Sequence, residues 1–575
     1  MFALKKTFPF SHKRKDIAIA TVSGVATTKP SLIRLFDREM PVDIITTKSF
    51  QVKPNSGNRE PVICEDELGT WGNSVGLRNP GMEKVLPEIA AIKKEGLSKW
   101  LNISLSADNE EDFITLVKAF GPYADSVELN FSCPHAKKGF GASIGSDINI
   151  ASSYVKRINE ETKDRECLLF IKLTPNVDNI GEIAKAVVDA GADGIVAINT
   201  VGPVEHTEPH SGMPVLNNAI GGKGGRSGDA VFPVALKAVK EIRRAVGEDI
   251  PVIGMGGVSD GERMASLILA GADAVGIGSA FGRVNQKRWS EYLTSVRKEA
   301  EIFLNGGKTE LGSRILMRDH LAMDYTPHRV ESIKLHSPDT MIITLDGAVD
   351  NFKAGEFVFL WLPGVGEKPF SLALTSPLTF IIKKRGIFTS SLFDTLKKGD
   401  TIYIRGPYGG EAETLKTKKA LVILGGTGEA VAAPLSEKLE KDNVKMSFLV
   451  GTSVSGNRGI LERELSQRGD YRCISDDGKV GRVLGYIAPE IERMLSDGTE
   501  LGDIAFYLIG PEIFMKNAAK ILEEKGVSTD MVLVSMEKNT MCGVGLCGEC
   551  ACGSRLSCQW GTFFTLTFLR EEHVL

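Results

Sequence analysis

Two segments of the sequence repeat one another. GEIAKAVVDAGADGIVAI begins at Gly181 and GERMASLILAGADAVGIG begins at Gly261. Each reads as an amphipathic helix, a glycine stop and a short apolar strand. The offset of about 80 residues holds two βα units of about 40 residues each, which makes the chain a (β/α) repeat with a parallel sheet. Eight apolar runs fit as its strands: DIAIATVSG from Asp16, VDIITTKS from Val42, KWLNISLS from Lys99, SVELNFS from Ser126, LLFIKLTP from Leu168, GIVAINT from Gly194, PVIGMGG from Pro251 and AVGIGSA from Ala274. They are apolar throughout, as strands buried on both faces are. Eight such runs with helical patterns between them, within about 300 residues, predict a TIM (β/α)8 barrel. An open doubly wound sheet is the alternative.

The texture changes after Asn305. GGKTELGSR is a polar linker, and short alternating strands follow: ESIKLHS, TMIITL, FVFLWL, TFIIKKR and DTIYIRG. They predict a small antiparallel barrel. KKALVILGGTGEAVAAPLSEKLEK, from Lys418, returns to strand, Gly-rich turn and helix, and AFYLIGPEIFMKNAAKIL repeats that pattern, as in an α/β nucleotide-binding domain. The expected boundaries are 1–305 for the first barrel, 306–326 for the linker, 327–415 for the antiparallel barrel, 416–535 for the nucleotide domain and 536–575 for a C-terminal cysteine-rich segment. The 575 residues carry 69 Lys and Arg against 73 Asp and Glu, a net charge of −4. That balance argues against a nucleic-acid partner. No apolar run approaches 18 residues, so no membrane span is expected. The N-terminus, MFALKKTFPFSHKRK, lacks the apolar core of a secretory signal, which leaves a cytoplasmic location as the expectation.

Five of the nine cysteines fall between Cys542 and Cys558. In a reducing compartment such a cluster reads as a metal site. Cys542, Cys547, Cys550 and Cys558 follow C-x4-C-x2-C-x7-C, which opens with the spacing of plant-type [2Fe–2S] ligands. Zinc favours paired C-x2-C motifs instead, and Cys552 is a spare. His206 and His210 have metal-compatible spacing but sit in a Pro-rich stretch and are read as loop residues. In a TIM barrel chemistry sits at the C-terminal ends of the strands. Here those ends carry Lys48, Asn130, Cys133, Lys172, Asn199 and Thr200, which predicts a pocket. Gly256-Gly257 and Gly278-Ser279 end the last two strands, where barrels commonly bind phosphate. GGKGGRSG (221–228) adds another Gly-rich approach.

Several long motifs, in order, make residues 15–285 resemble the dihydroorotate dehydrogenases: TKSFQVKPNSGNREP (47–61), WGNSVGLRNPG (71–81), ELNFSCPH (128–135), IKLTPNV (171–177), MPVLNNAIGGKGGRSG (213–228) and GMGGVSD (254–260). The resemblance implies FMN at the barrel mouth, contacted by Ser23, Gly24, Lys48, Lys172, Gly228, Gly256, Gly257, Gly278 and Ser279. It places substrate against Lys48, Asn73, Asn130, Asn199 and Thr200. The backbone of Asn73, Ser74, Val75, Gly76 and Leu77 would cradle the substrate carboxylate. Cys133 would be the catalytic base, and Lys172 would put positive charge where the reduced flavin becomes negative.

The second half is similar to the electron-transfer subunit of NAD-dependent dihydroorotate dehydrogenases, a relative of ferredoxin–NADP reductases. KPFS (368–371) and RGIFTSSL (385–392) imply FAD contacts from Lys368, Pro369, Phe370, Ser371, Gly386, Thr389 and Ser390. GGTGEAVAAP (425–434) and GP (510–511) imply NAD contacts from Gly425, Gly426, Thr427, Gly428, Gly510 and Pro511. Four positions depart from the family pattern: His135 replaces Asn, Lys368 replaces Arg, Ile509 replaces Cys, and the last cysteine gap is short. The resemblance implies a fused NAD-linked dihydroorotate dehydrogenase in which electrons pass from FMN through [2Fe–2S] and FAD to NAD+, and which forms a homodimer through its barrel. Its rivals are a dihydropyrimidine dehydrogenase, against which NSVGL (73–77) speaks, and an electron-transfer module that only docks a redox partner.

Overall fold

Residues 6–131, 144–453, 458–477 and 479–575 are described in a computed structural model of the chain. The eight apolar runs form eight strands: β1 (Ile19–Thr21), β2 (Ile44–Thr46), β3 (Trp100–Leu105), β4 (Ser126–Asn130), β5 (Leu168–Lys172), β6 (Gly194–Ala197), β7 (Val252–Met255) and β8 (Ala274–Ile277). All pair in parallel with their sequence neighbours and β8 pairs with β1, which closes the expected barrel. A helix follows each strand, from Pro30–Glu39 after β1 to Trp289–Leu304 after β8. The chain divides into two units, one of Met1–Met323 with Val544–Glu549, the other of Asp324–Gly543 with Cys550–Leu575.

The repeat seen in sequence has a structural cause. Gly191 and Gly271 hold φ of 109° and 107°, and each N–H closes the end of its helix, on Val188 and Ile268. Two residues later Asp193 and Asp273 each accept the backbone N–H of the preceding strand, from Leu169 and Val252, at 2.9 Å. Asp43 and Asp125 do the same for Ile19 and Leu101 at 2.8 Å. Each of the four also meets a cation: Arg297, Lys6, Arg165 and Arg243 in chain order. An aspartate before every even strand therefore clamps it to the odd strand before it.

The barrel interior holds both apolar and polar side chains. Phe170 packs against Phe8 at 5.5 Å, and a Cβ on Gly194 would lie 2.5 Å from the Phe170 ring. On β3 and β4 the buried Asn102, Ser104, Ser126 and Glu128 bond one another. A four-stranded antiparallel sheet ordered Ile63–Glu67, Thr70–Asn73, Lys223–Gly228, Val201–Glu205 also belongs to this unit.

The second unit contains two large sheets and a two-stranded ribbon of Ala551–Cys552 and Arg555–Leu556. The first is antiparallel, in the order Gly366–Phe370, Phe357–Leu362, Thr401–Tyr408, Thr326–Ser337, Thr340–Leu345, Leu378–Lys383, Leu374–Thr375. The sequence predicted a small antiparallel barrel; the antiparallel strands are present, and their hydrogen-bonded ladder does not join its first and last strands. The long strand Thr326–Ser337 gives its first half to Thr401–Tyr408 and its second to Thr340–Leu345. The second sheet is parallel over Gly469–Ser475, Lys445–Thr452, Lys419–Gly425, Ile504–Ile509 and Val532–Ser535, with Phe563–Thr565 antiparallel at its edge. Among the described residues no helix is long and apolar enough to cross a membrane.

Candidate active site

One cavity opens at the C-terminal ends of the barrel strands. Its wall includes Ser23, Gly24, Lys48, Lys172, Gly228, Gly256, Gly257, Gly278 and Ser279, together with Asn73, Val75, Gly76, Leu77, Asn130, Asn199 and Thr200. Every expected position in the first unit reaches it except two. Cys133, like His135, lies outside the described residues. Ser74 is fully buried away from the wall: its N–H donates to the Val62 carbonyl at 2.8 Å, and its hydroxyl accepts from Asn218 at 2.7 Å. Its backbone is therefore committed and cannot hold an anion.

The neighbours of Ser74 are set differently. Asn58 donates from its side chain to the Ser74 carbonyl at 2.9 Å and from its backbone to the Val75 carbonyl at 3.1 Å. Asn55 donates to the Gly76 carbonyl at 3.2 Å. In a trans peptide the N–H points opposite to the carbonyl, so the N–H groups of Val75, Gly76 and Leu77 all face away from the two asparagines. Gly76 and Leu77 reach this turn through φ of 71° and 54°. Three successive N–H groups turned one way form an anion cradle.

Lys172 stands 3.5 Å from Glu128, both buried. Glu128 belongs to a hydroxyl relay: Ser104 donates to it at 3.0 Å, Ser49 lies 2.9 Å from Ser104, and Ser23 lies 3.0 Å from Ser49. The barrel's polar interior thus positions the polar groups of the cavity floor. Burial draws the Lys48 ammonium below its ordinary pKa, against the pull of Glu549 and Cys547. Asn130 accepts from Asn199 at 3.4 Å, and Asn199 accepts the Thr200 N–H at 2.8 Å. Two glycines of the sheet beside the cavity are required by their neighbours: a Cβ on Gly228 would fall 1.9 Å from the Gly69 carbonyl, and one on Gly225 would fall 2.2 Å from the Thr200 hydroxyl. Trp71, Ser49 and Leu546 also line the cavity. Leu546 comes from the far end of the chain, and its carbonyl accepts the Ala26 N–H at 3.0 Å.

In the second unit the expected segments also converge in pairs. Lys368, Pro369 and Phe370 lie on the strand Gly366–Phe370, and the Phe370 and Phe388 rings are 6.2 Å apart. The Thr389 hydroxyl accepts the Arg385 and Gly386 N–H groups at the start of the helix Ile387–Thr395, and Ser390 donates to the Gly386 carbonyl. Ser371 follows this strand directly. Gly425 to Gly428 form a tight turn between the strand Lys419–Gly425 and the helix Glu429–Lys441. Gly510 and Pro511 follow the neighbouring strand, and a Cβ on Gly428 would come within 2.9 Å of the Ile509 carbonyl.

Cys558 is in hydrogen-bonding reach of Cys542 and Cys550. The buried Arg405, paired with Glu367 at 2.6 Å, donates to the Cys542 carbonyl at 2.9 Å. Cys547 groups with the first unit, where its carbonyl accepts from the Thr28 hydroxyl at 2.9 Å. Burial pushes the spare Cys552 thiol up to about 12.

The family model for dihydroorotate dehydrogenase matches residues 15–296. Among curated relatives, the dihydroorotate dehydrogenase B (NAD(+)) catalytic subunit of Methanocaldococcus jannaschii is 40% identical over 237 residues, covering 41% of this chain and 74% of that protein. The catalytic subunit of the same name from Pyrococcus abyssi is 39% identical over 258 residues, covering 45% and 81%. That from Bacillus mycoides is 39% identical over 239 residues, covering 41% and 73%.

Proposed function

The chain belongs to the dihydroorotate dehydrogenase family of oxidoreductases, and from that premise we propose that it oxidises dihydroorotate to orotate in pyrimidine biosynthesis, with NAD+ as final acceptor. What carries the reading is the single cavity in which Lys172, three asparagines, the anion cradle and the phosphate-loop glycines share one wall. At Gly24, on the cavity wall, nothing stands within 4 Å of where a Cβ would be, which leaves room for the close approach of FMN. When bound, FMN would take the hydride, and a [2Fe–2S] cluster and FAD would carry electrons onward to NAD+.

The chain's own residues divide the remaining work. The N–H groups of Val75, Gly76 and Leu77 bind the substrate carboxylate. Asn73, Asn130, Asn199 and Thr200 orient the ring, since an amide can donate and accept at one edge. Cys133 takes the proton from the carbon beside the one that loses hydride. Lys172, held by Glu128, keeps positive charge at the cavity wall. In the second unit the strand–turn–helix at 425–428 and the helix start at Gly386 offer N–H groups to dinucleotide phosphates. The thiols of Cys542, Cys550 and Cys558, with Cys547 by spacing, are the donor set for the cluster.

Anaerobic addition of dihydroorotate should bleach the flavin, whereas dihydrouracil, which lacks the carboxylate, should not. The protein should carry two irons and acid-labile sulfide, and Cys547→Ser should keep bleaching while losing NADH formation. Equal bleaching by dihydrouracil would overturn the substrate, and zinc without sulfide would overturn the cluster.

A further inference from the structure

The four-stranded sheet of the first unit carries a second constellation on residues outside the cavity chemistry. Cys64 lies on the strand Ile63–Glu67, directly opposite Gly72 in the antiparallel register. His206 immediately follows Val201–Glu205, the strand at the opposite edge of the same sheet. The two edges meet through side chains: His206 Nδ1 lies 2.5 Å from Asp66 Oδ2, and Cys64 Sγ lies 3.8 Å from Asp66 Oδ1. Sulfur, imidazole nitrogen and carboxylate oxygen all fall within 4.8 Å of one another.

Gly72 makes this meeting possible. A Cβ there would stand 2.6 Å from His206 Nδ1 and 2.7 Å from Cys64 Sγ, so both ligand atoms border one point above a residue with no side chain. The His206 side chain is fully buried and Asp66 is 22% exposed, giving a closed floor and one rim open to water. In the metal-free protein the short contact makes Nδ1 the donor to Asp66; a metal ion on Nδ1 would move the ring proton to Nε2, which is buried with no acceptor.

We propose that Cys64, Asp66 and His206 bind a divalent zinc ion that staples the two edges of this sheet together. One thiolate, one imidazole and one carboxylate are zinc's usual donors, with water in the fourth position at the open rim. Tetrahedral bonds of about 2.0–2.3 Å set ligand atoms about 3.3–3.8 Å apart. The Cys64–Asp66 separation already has that value, and the His206–Asp66 contact opens by about 1 Å. Binding releases the Cys64 thiol proton, and Arg226, 3.5 Å from Asp66, gives up its share of the carboxylate. The strands Thr70–Asn73 and Lys223–Gly228 lie between the stapled edges and supply Asn73 and Gly228 to the cavity.

The test uses the whole chain as isolated, stripped with EDTA, exposed to a slight excess of Zn2+ and desalted. Elemental analysis should find one zinc per chain with the iron content unchanged. Cys64→Ser and His206→Ala should each retain less than a tenth of that zinc, and Cys552→Ser should retain all of it. Should either loss variant fail to keep its flavin, Asp66→Asn, at the exposed rim, takes its place and should bind Zn2+ at least tenfold more weakly. X-ray absorption should show a shell of one sulfur and three nitrogen or oxygen atoms. No retained zinc in the wild type, equal retention in the variants, or a shell of four sulfurs, which would place the ion on the C-terminal cysteines, each overturns the proposal.

Discussion

Replacing Lys172 by Met removes an ammonium that stands 3.5 Å from Glu128, with side chains 5% and 0% exposed. Deleting one partner of a buried pair costs about 3–5 kcal/mol, because the other charge is left without compensation. Glu128 keeps hydrogen bonds from Ser104 at 3.0 Å and Asn102 at 3.3 Å, so the loss belongs at the low end, about 3 kcal/mol. At about 2 °C per kcal/mol for a unit of this size, the unfolding midpoint should fall by about 6 °C. Lys172→Met combined with Glu128→Gln removes the stranded charge as well, and should recover most of that loss. Flavin reduction should not recover with it. Both variants lack positive charge at the cavity wall, and both should be slower by about 10²–10³. Thermal unfolding of the flavin-free protein reads the first quantity and anaerobic stopped-flow absorbance the second. A double variant no more stable than Lys172→Met alone would refute the buried-pair argument. One that reduces flavin at the wild-type rate would remove Lys172 from the chemistry.

Asn58→Ala takes the side-chain donor from the Ser74 carbonyl behind the anion cradle and leaves the backbone donor to Val75 in place; orotate should bind up to about tenfold more weakly, a loss of at most about 1.4 kcal/mol, while uracil binding stays unchanged in a flavin-absorbance titration. Cys133→Ser should slow flavin reduction by about 10²–10⁴ at pH 7 and abolish a rise in rate with pH that follows a thiol titrating from near 8.5. Asp125 is pushed up by burial, but the Leu101 N–H and the Lys6 ammonium outweigh this and hold it below the ordinary carboxylate range. Its contribution to stability is therefore present above about pH 4, the unfolded value, and is lost as pH falls through the lower folded one. Asp125→Asn should be less stable than wild type at pH 7, with the gap closing on acidification in denaturant melts.

The barrel was legible because its strands are buried on both faces and its helices carry one apolar stripe, so both periods stand clear in the sequence. The sheet holding Cys64 and Asn73 was not. Its strands read TWGN and KGGRSG, short and Gly-rich, and they pair across about 150 residues of chain, which no local pattern announces. His206 does sit in a loop just after the strand Val201–Glu205, but its burial was not legible, because it depends on the space left by Gly72 on a distant strand. KPFS was legible as a motif, but the strand Gly366–Phe370 that carries most of it was not, since its proline and charged residues mask the alternation. The site residues of the first unit were found through strand ends and long motifs. Leu546 gave no signal, because nothing in its surroundings shows that it lines a cavity with residues more than two hundred positions away.

The four aspartate clamps at the barrel base also say where this chain can be divided. Each ties an even strand to the odd strand before it, so strand, helix, strand is the smallest piece that carries its own lock, and the barrel consists of four such quarters. No clamp spans the break between β2 and β3. Gly96, exposed in the connection just before β3, faces open space on its Cβ side. A polypeptide severed after Gly96 therefore yields a first fragment ending on a whole quarter and a second beginning on one, with every aspartate-to-backbone clamp kept within one fragment and the Lys6–Asp125 and Arg297–Asp43 pairs running between the two. Two such fragments have what they need to recombine, whereas a cut between Ala192 and Asp193 separates a strand from the residue that secures it.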